Sequence, residues 1–113
     1  MKKAAVGLVT GVAIFLSAQL VLAQGGDAKA GKDIFAKTCI TCHGADGNSP
    51  KEAVAKMLKV EIPKLGSAPI QALKDDDIKK AVTTGFQKMK PIPGLADKDV
   101  RNVIAFVRTI QKP

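Results

Sequence analysis

Residues 37–44 read KTCITCHG and contain both cysteines of the chain, Cys39 and Cys42, and its one histidine, His43. The pattern is C-x-x-C-H. Two thiols at this spacing can add to the two vinyl groups of a porphyrin and form thioethers. The adjacent imidazole can then lie under the macrocycle and ligate its iron. This is the attachment signature of c-type haem. Three other chemistries use the same residue types. A thioredoxin-like thiol pair sits between a strand and a helix in a βαβ unit, and no such pattern surrounds residues 39–42. A structural zinc site normally takes four protein ligands, and the chain offers three Cys and His residues. A disulfide across two residues closes too small a loop to constrain the unfolded chain much.

An iron held by one His is closed for electron transfer by a Met or a second His. A second His is lacking, so the candidates are Met89 and Met57. Met89 lies in the loop GFQKMKPIPG, residues 85–94. Its prolines reduce the entropy lost in holding a weak thioether ligand in place. Met57 lies in VAKML on an amphipathic stretch, where a Met normally fills core space. Met89 is therefore the expected distal ligand. Met57 and an open or Lys-ligated iron are the alternatives. A Met ligand raises the reduction potential relative to bis-His ligation.

The elements that must position these residues can be read around them. Met1-Lys2-Lys3 and the apolar run to Leu22 form the n- and h-regions of a secretory signal peptide. Cleavage is expected after Ala23, leaving one domain over residues 24–113. An uncleaved membrane anchor is the alternative. The formal charge is +8 for the chain. Loss of Lys2 and Lys3 leaves sixteen basic against ten acidic residues, or +6. Beyond the leader there are three Phe and no Trp or Tyr. So small a domain needs a disulfide, metal or cofactor to complete its core. A chain built around an apolar haem plate should be poorly ordered without it.

A helix is expected from Asp27 to about Ile40, with Gly31, Ile34, Phe35 and Thr38 on one face. Gly44-Ala45-Asp46-Gly47-Asn48 ends it. Ser49-Pro50-Lys51-Glu52 resembles a capping box opening a short helix to about Lys59. Ile62 to Pro69 reads as loop. Asp75-Asp76-Asp77 opens a helix running to about Thr84, stopped by Gly85. Phe86 to Gly94 is loop. Asp97 to Ile110 is the last helix, with Val100, Val103, Ile104, Phe106, Val107 and Ile110 as its apolar face. No strand pattern is evident. The expected class is all-α, with about four short helices and long loops.

The chain from Asp27 to Gln111 resembles the class I c-type cytochromes of the small soluble bacterial kind. The resemblance rests on Gly31 and Phe35 ahead of Cys39-Ile40-Thr41-Cys42-His43, on Met89 and Pro91 before the last helix, and on Phe106 within that helix. It departs where Lys90 separates Met89 from Pro91, and where Ala96 stands at the expected cap, so that Asp97 is expected to cap instead. The resemblance implies the cytochrome c fold around one covalent haem c. Cys39 and Cys42 would be its thioethers, His43 the proximal and Met89 the distal iron ligand. It further implies a loop carbonyl that orients His43, expected at Pro50 or its neighbours Asn48 and Ser49. A cavity for the haem is expected between Cys42, His43 and Met89.

A closed iron implies a one-electron carrier and no bond chemistry. The exposed haem rim is expected near Ile40, Ala45, Ile92, Pro93 and Gly94. The positive charge suits redox partners with acidic docking patches, membrane-associated complexes among them. Nucleic acid is not expected for an exported chain. A monomer in the periplasm is expected. The rival readings are a haem-based gas sensor and a cytochrome subunit of a larger oxidoreductase.

Overall fold

The computed structural model describes Gly7 and residues 25–113. The proposed leader therefore lies outside the described residues, Gly7 apart. Among the described residues there are six helices and no strand: α1 Ala28–Thr38, α2 Ile40–His43, α3 Glu52–Leu58, α4 Ala68–Gln71, α5 Asp75–Thr84 and α6 Asp97–Thr109. None of them is long and apolar enough to cross a membrane. The all-α expectation holds, with two single-turn helices, α2 and α4, beyond the four expected.

Asp27 caps α1, its carboxylate accepting from the N–H groups of Lys29 and Ala30 at 2.9 and 3.3 Å. The helix ends at Thr38, two residues earlier than expected. Thr38 is exposed rather than inward-facing, and its hydroxyl donates to the Ile34 carbonyl at 2.9 Å. Gly31 and Phe35 are the buried residues of α1. Gly31 faces the backbone of Asn102 and Val103 on α6, and a Cβ there would run into the Asn102 carbonyl. Hence the glycine sets how closely α1 and α6 cross. Asn102 fastens the same crossing, its side-chain Oδ1 accepting from the Asp27 N–H at 2.8 Å. Phe106 packs on Phe35, one turn along α1 from Gly31, with ring centroids 5.0 Å apart and planes at 55°. Such a pair adds about 0.5–1.5 kcal/mol beyond its area.

The core is small. Its buried apolar side chains are Phe35 from α1, Ile78 and Val82 from α5, and Val100, Val103, Ile104 and Val107 from α6. Each contributes about 1.5–3 kcal/mol. Neither α3 nor α4 contributes a buried residue. Phe106 and Ile110 are half-buried, completing the wide face expected of α6.

Three local expectations are corrected. Ser49 does not cap α3: its hydroxyl donates to Asp46 Oδ2 at 3.0 Å, and the N-cap is Lys51, without a side-chain bond. Pro69 does not lie in loop but in the first turn of α4, where its missing N–H costs no hydrogen bond. At α6 the N-cap is Ala96, and Asp99 rather than Asp97 reaches back, accepting from the Ala96 N–H at 3.1 Å. The acidic start of α5 is as expected, with Asp77 reaching back to the Lys74 N–H at 3.4 Å.

Arg108 ties α6 to the α4–α5 link. Its Nε and Nη2 donate to Asp75 Oδ1 at 3.0 and 2.8 Å, and Nη1 donates to the Gln71 carbonyl at 2.9 Å.

Candidate metal and cofactor centre

Cys39 ends α1 and starts α2. Its N–H donates to the Phe35 carbonyl at 2.9 Å, and its own carbonyl accepts from the N–H groups of Cys42 and His43 at 3.3 and 3.0 Å. One helical turn thus carries both thiols and the imidazole. Gly44 closes it with φ +79°, a left-handed conformation that glycine adopts without strain. The chain then folds back, and the Lys51 N–H donates to the Cys42 carbonyl at 2.9 Å.

The two thiols are free and half-buried, not joined to one another. Burial pushes the Cys39 thiol above its ordinary range, the Thr38 hydroxyl at 3.3 Å pulls it partly back, and Cys42 adds a smaller upward push. Among the described residues no three His, Cys, Asp or Glu side chains converge as ligands of a metal ion. The donor set therefore does not suit zinc, but it suits a group that the thiols bind covalently and that brings its own metal.

His43 carries the second sign of fit. Its Nδ1 is buried and has no hydrogen-bond partner. Burial holds the ring's pKa below its ordinary value, and the nearby Pro63 carbonyl pulls it partly back up. Pro63 stands close enough to be felt but outside hydrogen-bond geometry. None of the expected carbonyls, Pro50, Asn48 or Ser49, accepts a hydrogen bond from Nδ1. The side chains of the latter two are engaged elsewhere, Asn48 with Gly66 and Gln111, Ser49 with Asp46. The signal for Pro63 was the proline-containing run Ile62-Pro63-Lys64-Leu65-Gly66, which the sequence shows as loop without showing what it faces.

The two methionines separate. Met89 is half-buried and packs against the core cluster of α5 and α6. Met57 is 72% exposed, which corrects the expectation that it fills core space. Helix α3 has only seven residues and buries none of them, so it has no core for Met57 to fill. Met89 ends a tight turn in which the Phe86 N–H donates to the Met89 carbonyl at 2.9 Å and the Met89 N–H to the Phe86 carbonyl at 2.8 Å. Within it Gln87 has φ +52°. The Ile92 N–H donates to the Val82 carbonyl at 2.9 Å, fastening the far side of the loop to α5.

A cavity of about 730 Å³ is lined by Pro50, Ala55, Val60, Ile62, Pro63 and Ile70 among others. It is not the expected cavity between Cys42, His43 and Met89, none of which lines it. It lies against the segment 50–70, and Pro63 is the residue it shares with the surroundings of His43. Of the expected rim residues, Ala45, Pro93 and Gly94 are exposed, whereas Ile40 and Ile92 are half-buried.

Residues 26–107 match the family model described as Cytochrome C oxidase, cbb3-type, subunit III. Among solved structures, the chain is similar to the KustC0563 c-type cytochrome, at 28% identity and a TM-score of 0.62, over 73% of this chain and 98% of that one. No curated protein matches.

Proposed function

The chain belongs to the cbb3-type cytochrome c oxidase subunit III family of cytochrome c domains, which carry electrons alone or as subunits, and from this we propose that it is a one-haem, His/Met-ligated carrier. The reading is carried by one observation: two free thiols and a half-buried imidazole with a buried Nδ1 share a single helical turn. Cys39 and Cys42 would hold the haem as thioethers, and His43 and Met89 would ligate its iron. When bound, haem c supplies a one-electron iron couple. With only two cysteines and one histidine, the chain has one attachment motif and holds one haem.

The residues divide the remaining work. His43 would present one ring nitrogen to the iron, and its other nitrogen, Nδ1, is buried without a hydrogen-bond partner. Met89 is brought from the opposite side of the sequence by a turn whose two main-chain bonds leave it little freedom. The two thiols are half-buried, so a haem attached to them would be open to a partner on that side. The chain performs no bond chemistry of its own. It works in the periplasm as a monomer, after loss of residues 1–23, and docks by its positive charge on acidic patches of redox proteins, membrane-associated complexes included.

The family description favours a second reading, a subunit held in an oxidase complex. Copurification with an oxidase at high salt would support the subunit, and salt-sensitive transient binding the free carrier.

The test is an absorption spectrum of the haem-loaded protein, oxidised and reduced, in wild type and Met89→Ala. A low-spin wild type with the weak iron–thioether band, lost in Met89→Ala, is the expected result. Survival of the band in Met89→Ala would reassign the ligand to Met57. A high-spin wild type that binds carbon monoxide would replace the carrier with a gas-binding haem.

A further inference from the structure

The buried apolar side chains all lie outside residues 44–73, and of this stretch only Leu65 packs partly against their cluster. What ties the stretch to the core is mainly polar and converges on the end of α6. Asn48 Nδ2 donates to the Gln111 carbonyl at 2.8 Å, while its Oδ1 accepts from the Gly66 N–H at 2.8 Å. Gln71 Nε2 donates to the Leu65 carbonyl at 2.8 Å and to the Val107 carbonyl at 3.0 Å. Arg108 Nη1 donates to the Gln71 carbonyl at 2.9 Å, and Nη2 donates to the Leu73 carbonyl. Gly66 lies so close to the Gln111 carbonyl that a Cβ there would collide with it. Within the stretch, the Leu65 N–H closes on the Gly47 carbonyl at 2.9 Å, so the two loops hold one another. A main-chain bond to the motif turn, from the Lys51 N–H to the Cys42 carbonyl at 2.9 Å, lies beside the start of the stretch. Every residue lining the cavity of about 730 Å³ belongs to it, from Pro50 to Ile70.

A segment with few buried apolar contacts opens at a lower free energy than the apolar core beside it. Bonds between its own loops make it open together instead of fraying piecemeal. We propose that residues 44–73 are a lid that opens as one unit, and that Asn48, Gln71 and Arg108 are its latch to the last turn of α6 and to Gln111. Residues 107–111 thereby govern, from the far end of the chain, the opening of the cavity. The lid is independent of which side chains ligate iron, so the exchange pattern and the absorption spectrum can fail separately.

The experiment follows backbone amide exchange by NMR in the haem-loaded protein over a series of low denaturant concentrations. The amides of Val60, Leu65 and Ser67, whose main-chain bonds lie within the lid, report its opening. Those of Val82, Val103 and Ile104 report the core. In wild type the lid amides should converge on one opening free energy, below that of the core amides. Asn48→Ala and Gln71→Leu should accelerate the lid amides about tenfold, as expected for loss of a supporting hydrogen bond. Asn102→Ala removes the acceptor for the Asp27 N–H at the α1–α6 crossing, a bond that is kept while the lid is open. It should therefore accelerate the core amides about tenfold and leave the lid amides near wild type. The proposal is overturned if Asn102→Ala accelerates lid and core amides alike, since the lid then opens only with the whole fold. It is equally overturned if the lid amides exchange independently of one another, or if neither latch variant speeds them. Gln71→Leu carries the test of the latch if Asn48→Ala fails to retain haem.

Discussion

Asp46 shows how a single exposed side chain organises the return from the motif turn. Its carboxylate accepts from the Asn48 N–H at 2.9 Å and the Ser49 hydroxyl at 3.0 Å, and these bonds hold its pKa below the ordinary carboxylate value. A depressed folded pKa means that the charged form favours the folded state. The contribution is present above the ordinary value and is lost as pH falls through the folded one. Asp46→Asn should therefore lower the denaturant midpoint at about pH 7, with the difference fading as pH falls below the ordinary carboxylate range. At this scale the sequence was most informative where chemistry is local. Cys39, Cys42 and His43 declare themselves because spacing alone defines their motif. Pro63 does not, because its nearness to the His43 ring depends on a loop that returns after twenty residues. Met57 misled because amphipathic spacing suggests a buried face even on a helix too short to build one.

Among the elements, the Phe86–Met89 turn and the α1–α6 crossing depend most on individual residues. Gln87 at φ +52° occupies a conformation that costs a β-branched residue most. Gln87→Val should destabilise the loop by about 1–2 kcal/mol. In a thermal melt of the oxidised haem-loaded protein, its iron–thioether band should disappear at a lower temperature than in wild type. At the crossing, Gly31→Ala sets two effects against each other. Helix propensity gains about 1 kcal/mol. Forcing the Asn102 carbonyl away costs about 1–3 kcal/mol or more. Because the obstacle is backbone, the second effect wins, and the melting temperature should fall. The sequence marked α5 and α6 well, since acidic first turns and a glycine stop are local signals. It missed α4 because Pro69 reads equally as loop or as a first turn. It misplaced the cap of α3 because Asp46 competes for the Ser49 hydroxyl.

For the whole molecule, the distribution of the core matters more than its size. Phe35, α5 and α6 supply all the buried apolar side chains, while the segment from Gly44 to Gln71 supplies none. That third of the domain needs something apolar to pack on. A Cys39→Ala, Cys42→Ala double variant made without haem should show weak far-UV helical signal and no cooperative melt. The long-range charge makes a separate prediction. Electron transfer to an acidic partner should slow as salt rises past about 0.1 M, where screening acts within about 10 Å.

The contact of Gly31 with Asn102 joins residues 71 positions apart, the two ends of the domain. A chain delivered N-terminus first holds α1 and the C-x-x-C-H turn for the whole interval before α6 emerges to cover them. Throughout that interval the ring formed by the first and last helices is open. Thioether formation can therefore occur on an unclosed chain, with both thiols accessible to whatever delivers the porphyrin. Closure then becomes the last event of biogenesis, and any truncation that removes α6 leaves a chain that can be loaded but not locked.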